Sequence, residues 1–214
     1  MMNNIFKRLI SYNLGLLFLA VGVVFSIESN LGVSPINSLP YVIAKYLNYD
    51  QGVITTIIFI IYILLQWLIL KKNFKLFSLF QIVFASIFGW LVSFSINTLH
   101  FIPLPKTYFE QLIYCFISII LVAIGLLLYL AANILPQPAE GLMLAINTKL
   151  KIKFSNVKMA FDTCVVLLSI FISYLTMGNL SGIREGTIIS AIFIGKTLGV
   201  LSKYLMKPLK NFLH

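Results

Sequence analysis

Four ionisable side chains fall where the sequence is otherwise strongly apolar: Glu140, Lys158, Asp162 and Lys196. Lys158 and Asp162 stand four apart, so on a helix they share one face. An ionisable group deep in an apolar helix is costly and is suspected of function by default. The plain alternative is a pair at a membrane boundary, with Lys158 snorkelling toward headgroups. Lys196 lies about midway along the last apolar run, where its best partners are Glu140 or Asp162. Gly186, Ser190 and Gly195 on that run also read as a helix-packing surface. Glu140 follows Gln137 and Pro138 at the start of a short helix-like stretch. There it serves either as a capping carboxylate or as a binding group. Such a set suits reversible binding of protons or ions by a charge pair, Asp162 with Lys196, and recognition of a polar or anionic solute.

Other chemistries lack their residues. Cys115 and Cys164, with His100 and His214, give no disulfide framework and no metal-ligand spacing. Gly195-Lys196-Thr197 echoes the end of a P-loop but lacks its upstream glycine. No catalytic triad, hydrolase carboxylate pair or dinucleotide fingerprint stands in the sequence. The expectation is a protein that is not an enzyme and uses no cofactor or metal.

The elements that must position these residues are membrane spans. Sixty per cent apolar residues, ten per cent charged and a mean hydropathy of +0.99 exclude an ordinary soluble domain. Six segments, about 9–28, 52–70, 76–99, 109–133, 156–177 and 186–204, are long enough to cross a bilayer. Backbone groups in lipid must be satisfied internally, so these runs are helices. The predicted fold is an all-α integral membrane protein, one membrane domain over residues 1–214. Lys7 and Arg8 before the first span resemble a signal peptide, but that span recurs inside the chain, which a cleaved address would not do.

The net charge of +10 invites a nucleic-acid partner, but its placement argues for topology instead. With the N-terminus inside, Lys7, Arg8, Lys71, Lys72, Lys75, Lys149, Lys151, Lys153, Lys158, Lys203, Lys207 and Lys210 lie on inside segments. Only Lys45, Lys106 and Arg184 lie outside. This is a positive-inside pattern with both termini cytoplasmic and no nucleic acid.

The chain also repeats itself. Residues 17–47 shifted by 103 fall on 120–150, matching Ala20, Gly22, Asn30, Pro35, Leu39, Ile43 and Leu47 to Ala123, Gly125, Asn133, Pro138, Leu142, Ile146 and Leu150. A weaker likeness joins Ile87-Phe88-Gly89 to Phe193-Ile194-Gly195. Three spans per copy, 9–99 and 109–204, make the second copy inverted relative to the first. In each copy a proline-bearing break leads into a 12-residue stretch, about 36–47 and 139–150, too short to span and too apolar for water. Re-entrant half-helices fit best, with interfacial helices as the alternative. The first copy has Asn37 where the second has Glu140, and Phe59 where it has Asp162, so the fold does not require the acids.

Together these features predict a secondary transporter, with export among its open directions and protons among the open coupling ions, working by alternating access on a small polar or anionic solute. Ser34, Asn37, Gln137 and Glu140 are the expected substrate-binding residues; Glu140, Asp162, Lys196 and Lys158 are the expected coupling residues. The rival reading is a non-transporting membrane protein that stabilises or regulates a biosynthetic or signalling complex. Gly15, Gly22 and Gly125 suit homodimerisation or internal packing equally well.

Leu31-Gly32-Val33-Ser34-Pro35-Ile36-Asn37-Ser38-Leu39-Pro40, Pro136-Gln137-Pro138-Ala139-Glu140-Gly141-Leu142, Lys158 with Asp162, and Gly186-Thr187 occur in this order. In these the chain resembles the YczE/YyaS/YitT family of bacterial integral membrane proteins, and more closely the compact type without an added soluble domain. The resemblance implies a multi-pass protein of the bacterial cytoplasmic membrane. It implies little about activity beyond a grouping of some members with small-molecule exporters and of others with secondary-metabolite production.

Overall fold

A computed structural model describes residues 2–99, 101–152, 154–180 and 182–213, and every regular element among them is helical. His100, Lys153 and His214 lie outside the described residues. The α-helices are α1 (Met2–Glu28), α2 (Pro35–Leu47), α3 (Gln51–Leu70), α4 (Gln81–Leu99), α5 (Tyr108–Ala132), α6 (Pro138–Leu150), α7 (Phe154–Met177), α8 (Glu185–Leu201) and α9 (Lys207–Leu213). Six helical stretches are long and apolar enough to cross a membrane: Asn4–Glu28, Gln51–Asn73, Leu76–Leu99, Tyr108–Ala132, Asn156–Met177 and Glu185–Leu213. The two short helices begin at Pro35 and Pro138, first helical positions where a missing N–H costs nothing.

Two boundaries differ from the sequence reading. The third span opens with a 3-10 turn over Leu76–Phe80, and regular helix starts only at Gln81. The last span does not stop at 204: a widened π turn, Ser202–Met206, leads into α9. Pro208 supplies the reason. It has no N–H for the Tyr204 carbonyl, and its ring pushes that carbonyl away, so the turn before it opens.

The chain forms two compact units, and neither coincides with a half of the sequence. The first unit comprises Met1–Ser34, Leu91–Ile134 and Gly182–His214; the second comprises Pro35–Trp90 and Leu135–Ser181.

The first unit is built on α1 against α5. Arg8 bonds the Ala132 and Asn133 carbonyls at 2.7 and 2.5 Å, Ser11 donates to the Leu128 carbonyl at 3.0 Å, and Ser118 donates to the Gly22 carbonyl at 2.7 Å. Numbers fall along α1 as they rise along α5, so the two helices run antiparallel. Their backbones meet at Gly15 and Gly125, where a Cβ on either would stand 2.8 or 2.7 Å from the other's carbonyl oxygen. Tyr12 and Tyr129 close the contact edge to face at 5.8 Å. The glycines that suited a dimer surface are thus taken up by packing inside the chain.

Beyond α1 the chain turns through Asn30 and Gly32, both at positive φ (53° and 100°). Leu31 accepts from the Gly186 N–H at 2.7 Å, and Val33 donates to the Gly182 carbonyl at 2.9 Å. A Cβ on Gly186 would sit 2.6 Å from the Leu31 oxygen. The Leu31-Gly32-Val33 and Gly186-Thr187 motifs are therefore two sides of one backbone clamp. The small-residue row of α8 serves that clamp only in part: Gly186 and Ser190 are buried, whereas nothing stands within 4 Å of a Cβ on Gly195.

In the second unit the short helices pack crosswise. α2 lies mainly on α7, and α6 mainly on α3. Phe59 stacks on Phe88 at 5.7 Å, and Thr56 reaches toward the Ala85 carbonyl at 3.4 Å, tying α3 to the start of α4.

Gly125→Val should lower the unfolding temperature in detergent, consistent with an overpacking cost of about 1–3 kcal/mol. Gly195→Ala should leave it unchanged, and equal effects of the two would contradict the assigned contact.

Candidate functional site

The second unit gathers five of the seven residues singled out from sequence: Asn37, Gln137, Glu140, Lys158 and Asp162. Ser34 and Lys196 belong to the first unit. Ser34 is half-buried, whereas Lys196 is exposed and holds its ammonium 5.5 Å from the centre of the Phe193 ring. Asp162 finds its cation on its own helix: Lys158 Nζ meets Asp162 Oδ2 at 2.9 Å. The acid is the more sheltered partner, 18% exposed against 46% for the lysine.

The centre of the arrangement is the first turn of α6. Gln137 is its N-cap residue in extended backbone, and the Gln137 carbonyl accepts from the Gly141 N–H at 2.8 Å. Its side chain, though, makes no capping bond, and its buried Nε2 has no acceptor among the described residues. The Gln137 amide therefore does not cap the helix that its backbone begins. Glu140, at the third helical position, is half-buried and stands where the helix N-terminus favours a negative charge.

Gln66 of α3 holds this turn in place. Its Nε2 donates to the Pro138 carbonyl and to Gln81 Oε1, each at 3.0 Å. Both glutamines are almost fully buried, and an isolated amide at such a place would be costly, so the pair is sustained by mutual bonding. Gly141 makes room for them. A Cβ there would lie 2.6 Å from Gln66 Oε1 and 2.9 Å from Gln81 Nε2. From sequence, Gln66 and Gln81 read only as mild polar residues suited to interhelical bonding. Their bond to the start of the short helix is what the structure adds.

One turn before Gln66 on α3 stands Tyr62, 5% exposed, with no hydrogen-bond partner for its hydroxyl among the described residues. Its ring meets Phe161 edge to face at 5.4 Å, and the neighbouring Asp162 carboxylate lies within electrostatic reach of it. Asp162 Oδ1 is likewise buried and unpartnered there. A buried hydroxyl and a carboxylate oxygen without partners are the kind of exception to buried satisfaction that a polar ligand atom can fill. Sequence reasoning missed Tyr62, because a tyrosine in a span usually marks packing or an interface.

The first turn of α2 is built in a related way. Ser38 donates to the Pro35 carbonyl at 2.7 Å and meets Ser169 of α7 at 2.9 Å, both hydroxyls buried. Asn37 beside it is half-buried.

Six long apolar helices and a buried polar site make this a multi-pass helical membrane protein. The chain belongs to a family of unknown function, DUF6198, whose family model matches residues 6–203. It is similar to an uncharacterized protein of Haemophilus influenzae, 28% identical over 180 residues covering 84% of this chain and 76% of that protein. It is also similar to the uncharacterized protein YyaS of Bacillus subtilis, 24% identical over 189 residues covering 86% and 90% of the two chains. The YyaS-like assignment read from the motifs is thereby borne out. No solved structure matches.

Gln66→Leu should cost about 1–3 kcal/mol by leaving the buried Gln81 Oε1 without its donor. Ser169→Ala should cost less, because Ser38 keeps its bond to Pro35. Thermal unfolding of the two variants in detergent would show the order, and the reverse order would refute it.

Proposed function

We propose that this protein is a secondary transporter of a small polar or anionic solute, working by alternating access and catalysing no chemical conversion. The observation that carries the reading is the exchange symmetry of its contacts. Shifted by 103 residues, the Ser38–Ser169 contact becomes the approach of Gly141 to Gln66, which the chain also makes. The Gly22–Ser118 contact becomes that of Gly125 with Gly15, again made. The antiparallel course of α1 and α5, corresponding helices of the two copies, accords with inverted repeats. Transporters with such repeats bind their solutes at interrupted helices.

The crosswise seating of α2 and α6, each by its first turn on a long helix, supports half-helices whose N-termini face a polar site. Asn37, Gln137 and Glu140 bind the solute in this reading. Asp162 takes up a proton on its unengaged oxygen, and the Lys158 ammonium is released as the carboxylate is neutralised. The setting is the bacterial cytoplasmic membrane with both termini inside, as the placement of lysines supports.

The test is transport in proteoliposomes offered a mixed pool of cell metabolites, read by mass spectrometry with and without an imposed pH gradient. Wild type should move at least one solute faster under the gradient. Asp162→Asn should lose the gradient dependence, and Glu140→Gln should lose most of the flux. If nothing moves while both variants still complement a deletion strain, the protein acts instead as a membrane partner of another complex.

A further inference from the structure

The three carboxylates of the first unit, Glu28, Glu110 and Glu185, lie at one end of it. Glu28 closes α1, Glu110 opens α5 antiparallel to it, and Glu185 opens α8 beside Leu31. The opposite end is formed by the start of α1, the end of α5 and the C-terminal helix α9, which packs on both. It carries Lys7, Arg8, Lys203, Lys207 and Lys210, and no acid falls among residues 2–27, 111–134 or 186–213.

The tail is fixed to this corner rather than loose beside it. Leu213 is 3% exposed, and Lys7 lays its ammonium 4.4 Å from the centre of the Phe212 ring. Arg8 is already engaged by the carbonyls that end α5. Lys203, Lys207 and Lys210 are exposed, and Phe6, Tyr204 and Phe212 stand exposed at the same corner. Cations set among exposed aromatic rings at the end of a membrane helix match a molecule with an anionic head and apolar tails. A soluble anion would leave the rings uncovered.

We infer that the corner formed by α1 and α9 binds an anionic phospholipid, with Lys203, Lys207 and Lys210 on the headgroup phosphate and Phe6, Tyr204 and Phe212 against the acyl chains. Anionic leaflets attract each basic residue near the surface, and three of them on the docked C-terminal stretch add their attractions at one place. This site is independent of the solute-transport reading.

The experiment uses the full chain in detergent, titrated with phosphatidylglycerol or phosphatidylcholine and read by native mass spectrometry and thermal unfolding. Phosphatidylglycerol should remain bound and raise the unfolding temperature, whereas phosphatidylcholine and inorganic phosphate should not. The triple variant Lys203→Gln, Lys207→Gln, Lys210→Gln should lose roughly a hundredfold in affinity. A control variant, Lys71→Gln, Lys72→Gln, Lys75→Gln, removes the same charge from the second unit and should retain full binding. Equal losses in the two triple variants would reduce the effect to general charge and overturn the site. So would retention of the lipid by the first variant, or an equal shift with inorganic phosphate.

Discussion

A helix that ends leaves its last carbonyl groups without partners along the helix, and this chain ends a long helix at corresponding places twice. It ends α1 and α5 with left-handed asparagines, Asn30 and Asn133. The only two arginines of the sequence answer them: Arg184 bonds the Asn30 carbonyl at 2.8 Å, and Arg8 bonds that of Asn133. A lysine presents a single point of donation, whereas a guanidinium spans two adjacent carbonyls, as Arg8 does. The short helices that follow carry a side-chain bond on a first-turn carbonyl, Pro35 from Ser38 and Pro138 from Gln66. With these breaks satisfied, polar residues can be held inside the unit.

The two short helices differ in the polar groups that surround their first turns. Around α2 the polar contact is made by two small hydroxyls, which leave little unmet. Around α6 a glycine faces a glutamine pair, a glutamate occupies the first turn, and an aspartate and a tyrosine retain unengaged oxygens nearby. Matching helix starts at Pro35 and Pro138 thus coexist with acids at only one of each pair of matched positions, Glu140 against Asn37 and Asp162 against Phe59. A fold that needed acids for stability would carry them in both.

Much of this was legible in the chain. The 103-residue shift aligned the short helices, and their expected spans of 36–47 and 139–150 fall one residue inside the observed bounds at each start. Periodicity and proline placement act locally, which is why they read well. Asp162 meets Lys158, the neighbour that the four-residue spacing placed on its face, because a lysine one turn away on the same helix reaches the carboxylate with no tertiary requirement. Gln66 was legible in type but not in role, because nothing local tells a span glutamine which carbonyl it will meet. The widened turn before Pro208 escaped for a different reason: apolar content continues smoothly through it.

Crosswise packing also sets an order of events during synthesis. Ser38 emerges about 130 residues before Ser169, and Gln66 about 70 before Pro138. Until the later helices enter the membrane, the nascent first half holds a short helix with no long helix from the second half to rest on. The second unit therefore closes only once α7 has been made.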